Sequence, residues 1–168
     1  QRAVYEGAGF LYKLTYDLWE GHPCCAFAAS KAFSTEMPNT FKAIFKAIVD
    51  ATQYTHKPEN RAEIAKAISP RNYLNQPVKV VEQVLTGQFP DGLGNNRNVP
   101  NRIDFDPYPW HSMAVWILTQ MKRWGYVKKD FDYKTIAEQV FLAADCKDVM
   151  QELGYTAPGE TYKKHTIM

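Results

Sequence analysis

The residues best suited to chemistry are concentrated in Glu20-Gly21-His22-Pro23-Cys24-Cys25-Ala26-Phe27-Ala28-Ala29-Ser30. Two of the chain's three cysteines stand side by side there, with one of its four histidines just upstream and a proline between. Thiolate and imidazole are soft metal ligands, and His22, Cys24 and Cys25 would offer three, with Cys146 available as a fourth. Structural zinc sites, however, space their cysteines by two to four residues, and neighbouring residues of an extended strand point to opposite sides. Thiol catalysis is the second chemistry: it needs a thiolate beside a base, and a third group that orients the base. His22 is near both thiols in sequence, but no motif of the nucleophile-elbow kind surrounds either cysteine. The third reading makes Cys24 and Cys25 small apolar strand residues, one of them facing a core.

Other candidates are weaker. Asp104 and Asp106 alternate in Ile103-Asp104-Phe105-Asp106-Pro107, so both would share one face as a cation or acid–base pair. Turn and cap chemistry before Pro107 accounts for them more simply. Gly92-Leu93-Gly94 lacks the flanking strand and helix of a dinucleotide fingerprint. Trp110, Trp116, Trp124 and Tyr126 could stack on a ligand, but their spacing is that of helix residues packing a core.

The elements that must position these residues follow from periodicity. Residues 3–19 alternate loosely, with Phe10, Tyr12, Leu14 and Tyr16 on one side, and predict an extended segment or strand broken by Gly7 and Gly9. Cys24 to Ala28 predicts a short buried strand behind a proline. A short helix is predicted over Lys31–Glu36. A longer one opens at Pro38, since proline suits a first helical turn. Phe41, Ile44, Phe45, Ile48 and Ala51 would form its apolar face. Pro58 starts another helix with Ile64, Ala65 and Ile68 inward. Pro77–Leu85 makes the next, burying Val78, Val81, Val84 and Leu85 and stopping at Gly87. Residues 87–109 read as a long loop of the kind that is often functional. Helical pattern returns from Trp110 to a stop at Gly125, over Tyr133–Ala144, and over Lys147–Leu153.

One or two strands followed by five or six helices cannot complete an α/β sheet. The expectation is therefore the C-terminal portion of something larger, organised as a strand and hinge region over 1–30, a helical region over 31–154 and a surface tail over 155–168. The N-terminus, Gln1-Arg2-Ala3-Val4-Tyr5, carries neither a signal-peptide pattern nor a starting methionine, so earlier sequence is expected to have been removed.

Composition bounds the function classes. Across 168 residues, 45% are hydrophobic and 14% aromatic, ample for a packed core and unlike a disordered segment. Twenty basic and 18 acidic residues leave a net charge of +2 with no basic block, which argues against nucleic acid as a partner. No apolar run has the length of a membrane span. Three cysteines are too few for a disulfide scaffold and do not fix the redox compartment.

Several ordered motifs resemble the substrate-binding proteins of nitrate/bicarbonate/sulfonate-type ABC importers. They are Trp19-Glu20-Gly21-His22-Pro23-Cys24-Cys25-Ala26-Phe27-Ala28 and Glu36-Met37-Pro38-Asn39-Thr40, then Asn72-Tyr73-Leu74-Asn75-Gln76-Pro77 with Val84-Leu85-Thr86-Gly87. Asp106-Pro107-Tyr108-Pro109-Trp110 and Leu118-Thr119-Gln120-Met121-Lys122-Arg123-Trp124-Gly125-Tyr126 complete the set. The resemblance covers nearly the whole chain but only the C-terminal part of the family's length.

It implies an α/β fold of the periplasmic-binding-protein-like II type, here a helix-rich C-terminal portion with one to three strands. The implied function is capture of a small anion or related solute by hinge closure, and delivery to a membrane permease, with no catalysis and no cofactor. The implied site is a ligand-binding wall at His22, Cys24 and Cys25. Nitrate-type members tend to carry a lysine just after the proline of this segment, and bicarbonate-type members an acidic residue that reaches a calcium ion. A neutral thiol replaces both here, and it cannot balance an anion's charge. The implied setting is periplasmic or anchored on the extracytoplasmic side, with a monomeric full-length protein. Two alternatives remain: a cytoplasmic regulatory domain fused to an importer ATPase, or a thiol- or metal-dependent enzyme on the same fold.

Overall fold

The computed structural model describes residues 1–166 and divides into two compact units. The first comprises Gln1–His22 and Thr52–Asp106, together with Thr166; the second comprises Pro23–Ala51 and Pro107–His165.

In the first unit, α1 is a single turn over Arg2–Tyr5, and a 3-10 turn covers Thr15–Asp17. Helix α2 (Lys31–Glu36) belongs to the second unit, while α3 (Pro38–His56) begins there and delivers its last turn to the first. Pro58–Asn60 forms a 3-10 turn that leads into α4 (Arg61–Ile68), and α5 spans Val78–Thr86. Ala65 of α4 packs with Val81 and Leu85 of α5, walled by Ile64, Ile68, Ile103 and Phe105. That i, i+4 stripe on α5 is what the sequence pattern requires of an amphipathic helix.

Helix α5 ends at Gly87, which adopts the left-handed conformation at φ 74°. A Cβ there would lie 2.0 Å from the Val99 carbonyl oxygen, so no other residue fits. The chain then forms an antiparallel hairpin of β1 (Gln88–Pro90) and β2 (Asn96–Asn98), with Phe89 opposite Arg97. Asp91 closes the turn, its carboxylate accepting from the Leu93 and Asn95 amides at 2.7 and 3.1 Å and from Asn95 Nδ2 at 2.9 Å. These donors, led by the Asn95 side chain, hold the Asp91 carboxyl below its ordinary pKa. The Asp91 carbonyl accepts from Leu11 N at 2.7 Å, which ties the N-terminal segment to the hairpin.

Arg61 is a buried charge in this unit, only 2% exposed. Its guanidinium donates to four backbone carbonyls: Thr55 (3.1 Å), His56 (3.1 Å), Leu85 (3.2 Å) and Pro100 (2.7 Å). Thr55 and His56 end α3, and Leu85 lies in the last turn of α5, where helical carbonyls lack partners.

In the second unit, Ser30 caps α2 by accepting from Phe33 N at 3.1 Å. Helix α6 runs over His111–Arg123, α7 over Tyr133–Val140 and α8 over Ala143–Glu152. Asp132 caps α7 through the Lys134 and Thr135 amides. The core joins Val49 of α3 and Tyr108 to Ala143, Cys146, Val149 and Met150 of α8, with Phe45, Trp110, Leu153, Tyr155 and Ala157 at its edge.

Several expectations are corrected. Residues 3–19 contain a helical turn and a 3-10 turn but no strand. Loose alternation without a pairing partner leaves backbone groups unsatisfied, and short local turns satisfy them instead. Cys24–Ala28 is neither strand nor buried: Cys24 through Ser30 is exposed and without regular structure. The two strands lie instead within 87–109, read from composition as a loop. On α3 the buried residue is Val49, while Ile44 and Ala51 are exposed, so the packed face is rotated from the expected one. Val78 is likewise exposed. The helix expected over Tyr133–Ala144 breaks at Phe141, whose backbone is extended and whose carbonyl accepts from His111 Nε2 at 3.0 Å. Trp124 and Tyr126 are 70% and 81% exposed, so helical spacing did not bury them.

Two outcomes are expected. Arg61→Ala should lower the stability of this chain by at least about 3 kcal/mol in chemical denaturation, since it strands several buried carbonyls. Arg61→Lys should recover only part of the loss, because an ammonium cannot span the same fork. Separately, Glu152 is held by Lys42 at 2.7 Å and by Lys46, which bring its pKa from 4.5 down to about 2. Between those values the unfolded chain binds a proton that the folded chain does not. The contribution is therefore complete above pH 4.5 and lost as pH falls toward about 2. Glu152→Gln should flatten the acid limb of stability against pH.

Candidate functional site

His22 is half-buried at the end of the first unit's opening segment. Its backbone amide and its Nδ1 both reach the Trp19 carbonyl, at 3.2 and 3.1 Å. A carbonyl only accepts, so Nδ1 carries the proton, and in the neutral ring Nε2 is an acceptor. His22 can then donate to an anion through Nε2 only as imidazolium. The buried Trp19 side chain and the left-handed Gly21 (φ 65°) hold this corner in place.

Cys24 and Cys25 open the second unit, both exposed, with Cys25 Sγ donating to Cys24 Sγ at 3.7 Å. This overturns the geometric expectation for the pair. Opposed side chains are a property of a strand, and Pro23–Ser30 is not one. The thiols share one side of the backbone, and the contact with Cys25 pushes the Cys24 thiol up from its ordinary pKa, with burial adding to it. The Cys24 sulfur is therefore held toward its protonated form, which suits weak donation more than nucleophilic attack.

The remaining candidates disperse. Cys146 is fully buried in the core of the second unit and donates to the Pro107 carbonyl at 3.4 Å. Asp104 accepts from its neighbour Phe105 N at 2.8 Å and faces His56 Nδ1 at 3.2 Å, a turn role with an exposed side-chain contact. Asp106 is exposed. Among the described residues no group of three or more His, Cys, Asp or Glu side chains could hold a metal ion.

Composition did not reveal a groove of about 640 Å³ along the hairpin of the first unit. Lys79, Gln83, Phe89, Asn96 and Arg97 line it, and Gln83 Oε1 is buried without a hydrogen-bond partner. Arg97 and Arg102 both stack on Phe89, with guanidinium carbons 5.6 and 4.0 Å from the ring centroid. The only available signal was the Asn-Asn-Arg-Asn run after Gly94, which reads as loop until the hairpin pairs it.

The fold matches the crystal structure of the periplasmic nitrate-binding protein NrtA from Synechocystis PCC 6803 with a TM-score of 0.92. The match has 23% identity and covers 99% of this chain and 46% of that one. This is the periplasmic-binding-protein type of fold, in a helix-rich portion with two strands, as the resemblance implied. The NMT1-like family model matches residues 1–69. The nitrate/nitrite binding protein NrtA of Nostoc sp. is 33% identical over 142 residues, 82% of this chain and 32% of that protein. The bicarbonate transport ATP-binding protein CmpC of Synechocystis sp. is 29% identical over 161 residues, 92% of this chain and 24% of that protein. These matches support a place among the nitrate- and bicarbonate-type substrate-binding proteins of ABC systems, and the chain spans about a third or less of the curated relatives named here. No helix among the described residues is long and apolar enough to cross a membrane.

The placement of the cysteines gives a direct measurement. A bulky disulfide reagent should titrate two thiols in the native chain, Cys24 and Cys25, and a third only after denaturation exposes Cys146. Rapid reaction of all three would contradict the buried position of Cys146.

Proposed function

We propose that this chain is part of the solute-binding component of an ABC importer for a small anion, captured by hinge closure without chemical turnover. The observation that carries the reading is the fold match to a nitrate-binding protein over nearly all of this chain. The ligand-binding residues proposed are His22, Cys24 and Cys25. In this reading His22 donates through Nε2 when protonated, and the two thiols contribute weak S–H donors. The full-length protein acts as an extracytoplasmic monomer, delivering solute to a membrane permease without a bound cofactor.

With no lysine after Pro23, the pocket wall lacks a fixed positive charge at that position. A neutral wall favours a ligand whose charge is diffuse or is met elsewhere in the pocket. The test is a thermal-shift screen of the full-length protein with nitrate, nitrite, bicarbonate, cyanate, sulfonates and pyrimidine-like solutes. A true ligand at a hundred times its Kd stabilises by about 2.7 kcal/mol. His22→Ala should weaken binding of a solute identified in this way, read as a smaller thermal shift at the same concentration. Cys24→Lys should raise nitrate affinity by roughly tenfold or more, the range of a hydrogen bond to a charged donor. If no small solute moves the midpoint, the carrier reading fails.

The match to an importer ATP-binding protein supports a second reading, a solute-sensing regulatory domain in the cytoplasm. Upstream sequence separates the two: a nucleotide-binding motif favours the regulator, and a signal peptide the carrier.

A further inference from the structure

We infer that Cys24 and Cys25 form a bidentate dithiol site for a trivalent arsenical or an ion of the same thiophilic, two-sulfur-seeking class. The pairing rests on position: the two sulfurs lie 3.7 Å apart on one side of an exposed stretch without regular structure. No rotation of a buried side chain and no opening of the core is needed to reach them.

Geometry selects the kind of ligand. Pyramidal arms of about 2.3 Å set sulfurs roughly 3.4–3.5 Å apart, so the observed separation of 3.7 Å needs only a small approach to meet one bridging atom. A direct sulfur–sulfur bond suits it less. Neighbouring Cα atoms are about 3.8 Å apart, whereas ordinary disulfides hold theirs at about 4.4–6.8 Å. Bridging through a single larger atom lengthens the ring and removes that conflict. Ligand count decides further. Zinc fills four positions in structural sites, and the described residues offer no cluster of three or more ligating side chains. A monosubstituted trivalent arsenic needs only two sulfurs, its third position being its own carbon. Soft sulfur donors favour such centres over hard cations.

The step balances without an oxidant. With phenylarsine oxide, two As–S bonds form and the arsenic–oxygen double bond breaks. The two thiol protons leave with that oxygen as one water. Arsenic stays trivalent and neither sulfur is oxidised.

The site is independent of which solute the protein carries, and its test needs no solute. The reduced protein is titrated with phenylarsine oxide, following free thiols and intact mass. The expected result is one arsenic per chain, loss of two accessible thiols, and reversal by a small dithiol but not by equimolar monothiol. Bidentate capture gains roughly a hundredfold or more over a single contact, so Cys24→Ser and Cys25→Ser should each weaken binding by that order. Cys146→Ser should leave it unchanged. Native far-ultraviolet circular dichroism of each variant confirms that folding is retained. Single-cysteine variants that bind as tightly as the parent would overturn the proposal. So would an adduct that consumes one thiol, or a parent that takes up no arsenic.

Discussion

The first unit depends on a single buried cation. Arg61 stands at the first residue of α4, where a positive side chain opposes its own helix dipole. That cost is outweighed because the same guanidinium meets the carbonyl-rich ends of α3 and α5 and the turn at Pro100. Two helix termini that would otherwise need water are closed by one side chain in a dry location. The apolar contact of α4 with α5 centres on Ala65, Val81 and Leu85, with Ile64, Ile68, Ile103 and Phe105 packed around it.

The second unit is built differently. Its core is apolar and draws on residues far apart in sequence, from Val49 to Met150 and on to Ala157. Several of its polar interactions sit at edges: Ser30 and Asp132 as caps, and Glu152 beneath two lysines. Tyr155 reinforces the closure by donating to Asp50 at 2.5 Å, joining the segment after α8 to α3. That contact raises the Tyr155 pKa, because the carboxylate disfavours a neighbouring phenolate.

Legibility followed the physics of each signal. Helix starts and stops were readable because proline, serine and glycine act locally: Lys31–Glu36, the start at Pro38 and the stop at Gly87 appear where the residues indicate. Facing was less readable, because α3 turns whichever stripe its neighbours accept, and Val49 rather than Ile44 met the core. Alternation over residues 3–19 misled, since a strand exists only when another strand pairs with it. At the candidate site, composition drew attention to Cys24 and Cys25, whose sulfurs lie 3.7 Å apart. The approach of the two thiols was hidden, because a strand would have pointed them apart. The Lys79–Arg97 groove was hidden because a hairpin brings its walls together from either side of a turn.

Gly87 has a consequence beyond the fold of this one chain. A methyl group at that position would occupy the same space as the Val99 carbonyl oxygen. Drift in sequence can therefore alter the helix before it and the hairpin after it, but not the hydrogen atom that stands for a side chain between them. Such a position works as a surveyor's mark: when distant relatives are aligned and the residues on either side have diverged beyond recognition, it fixes where α5 stops and the register of β1 begins.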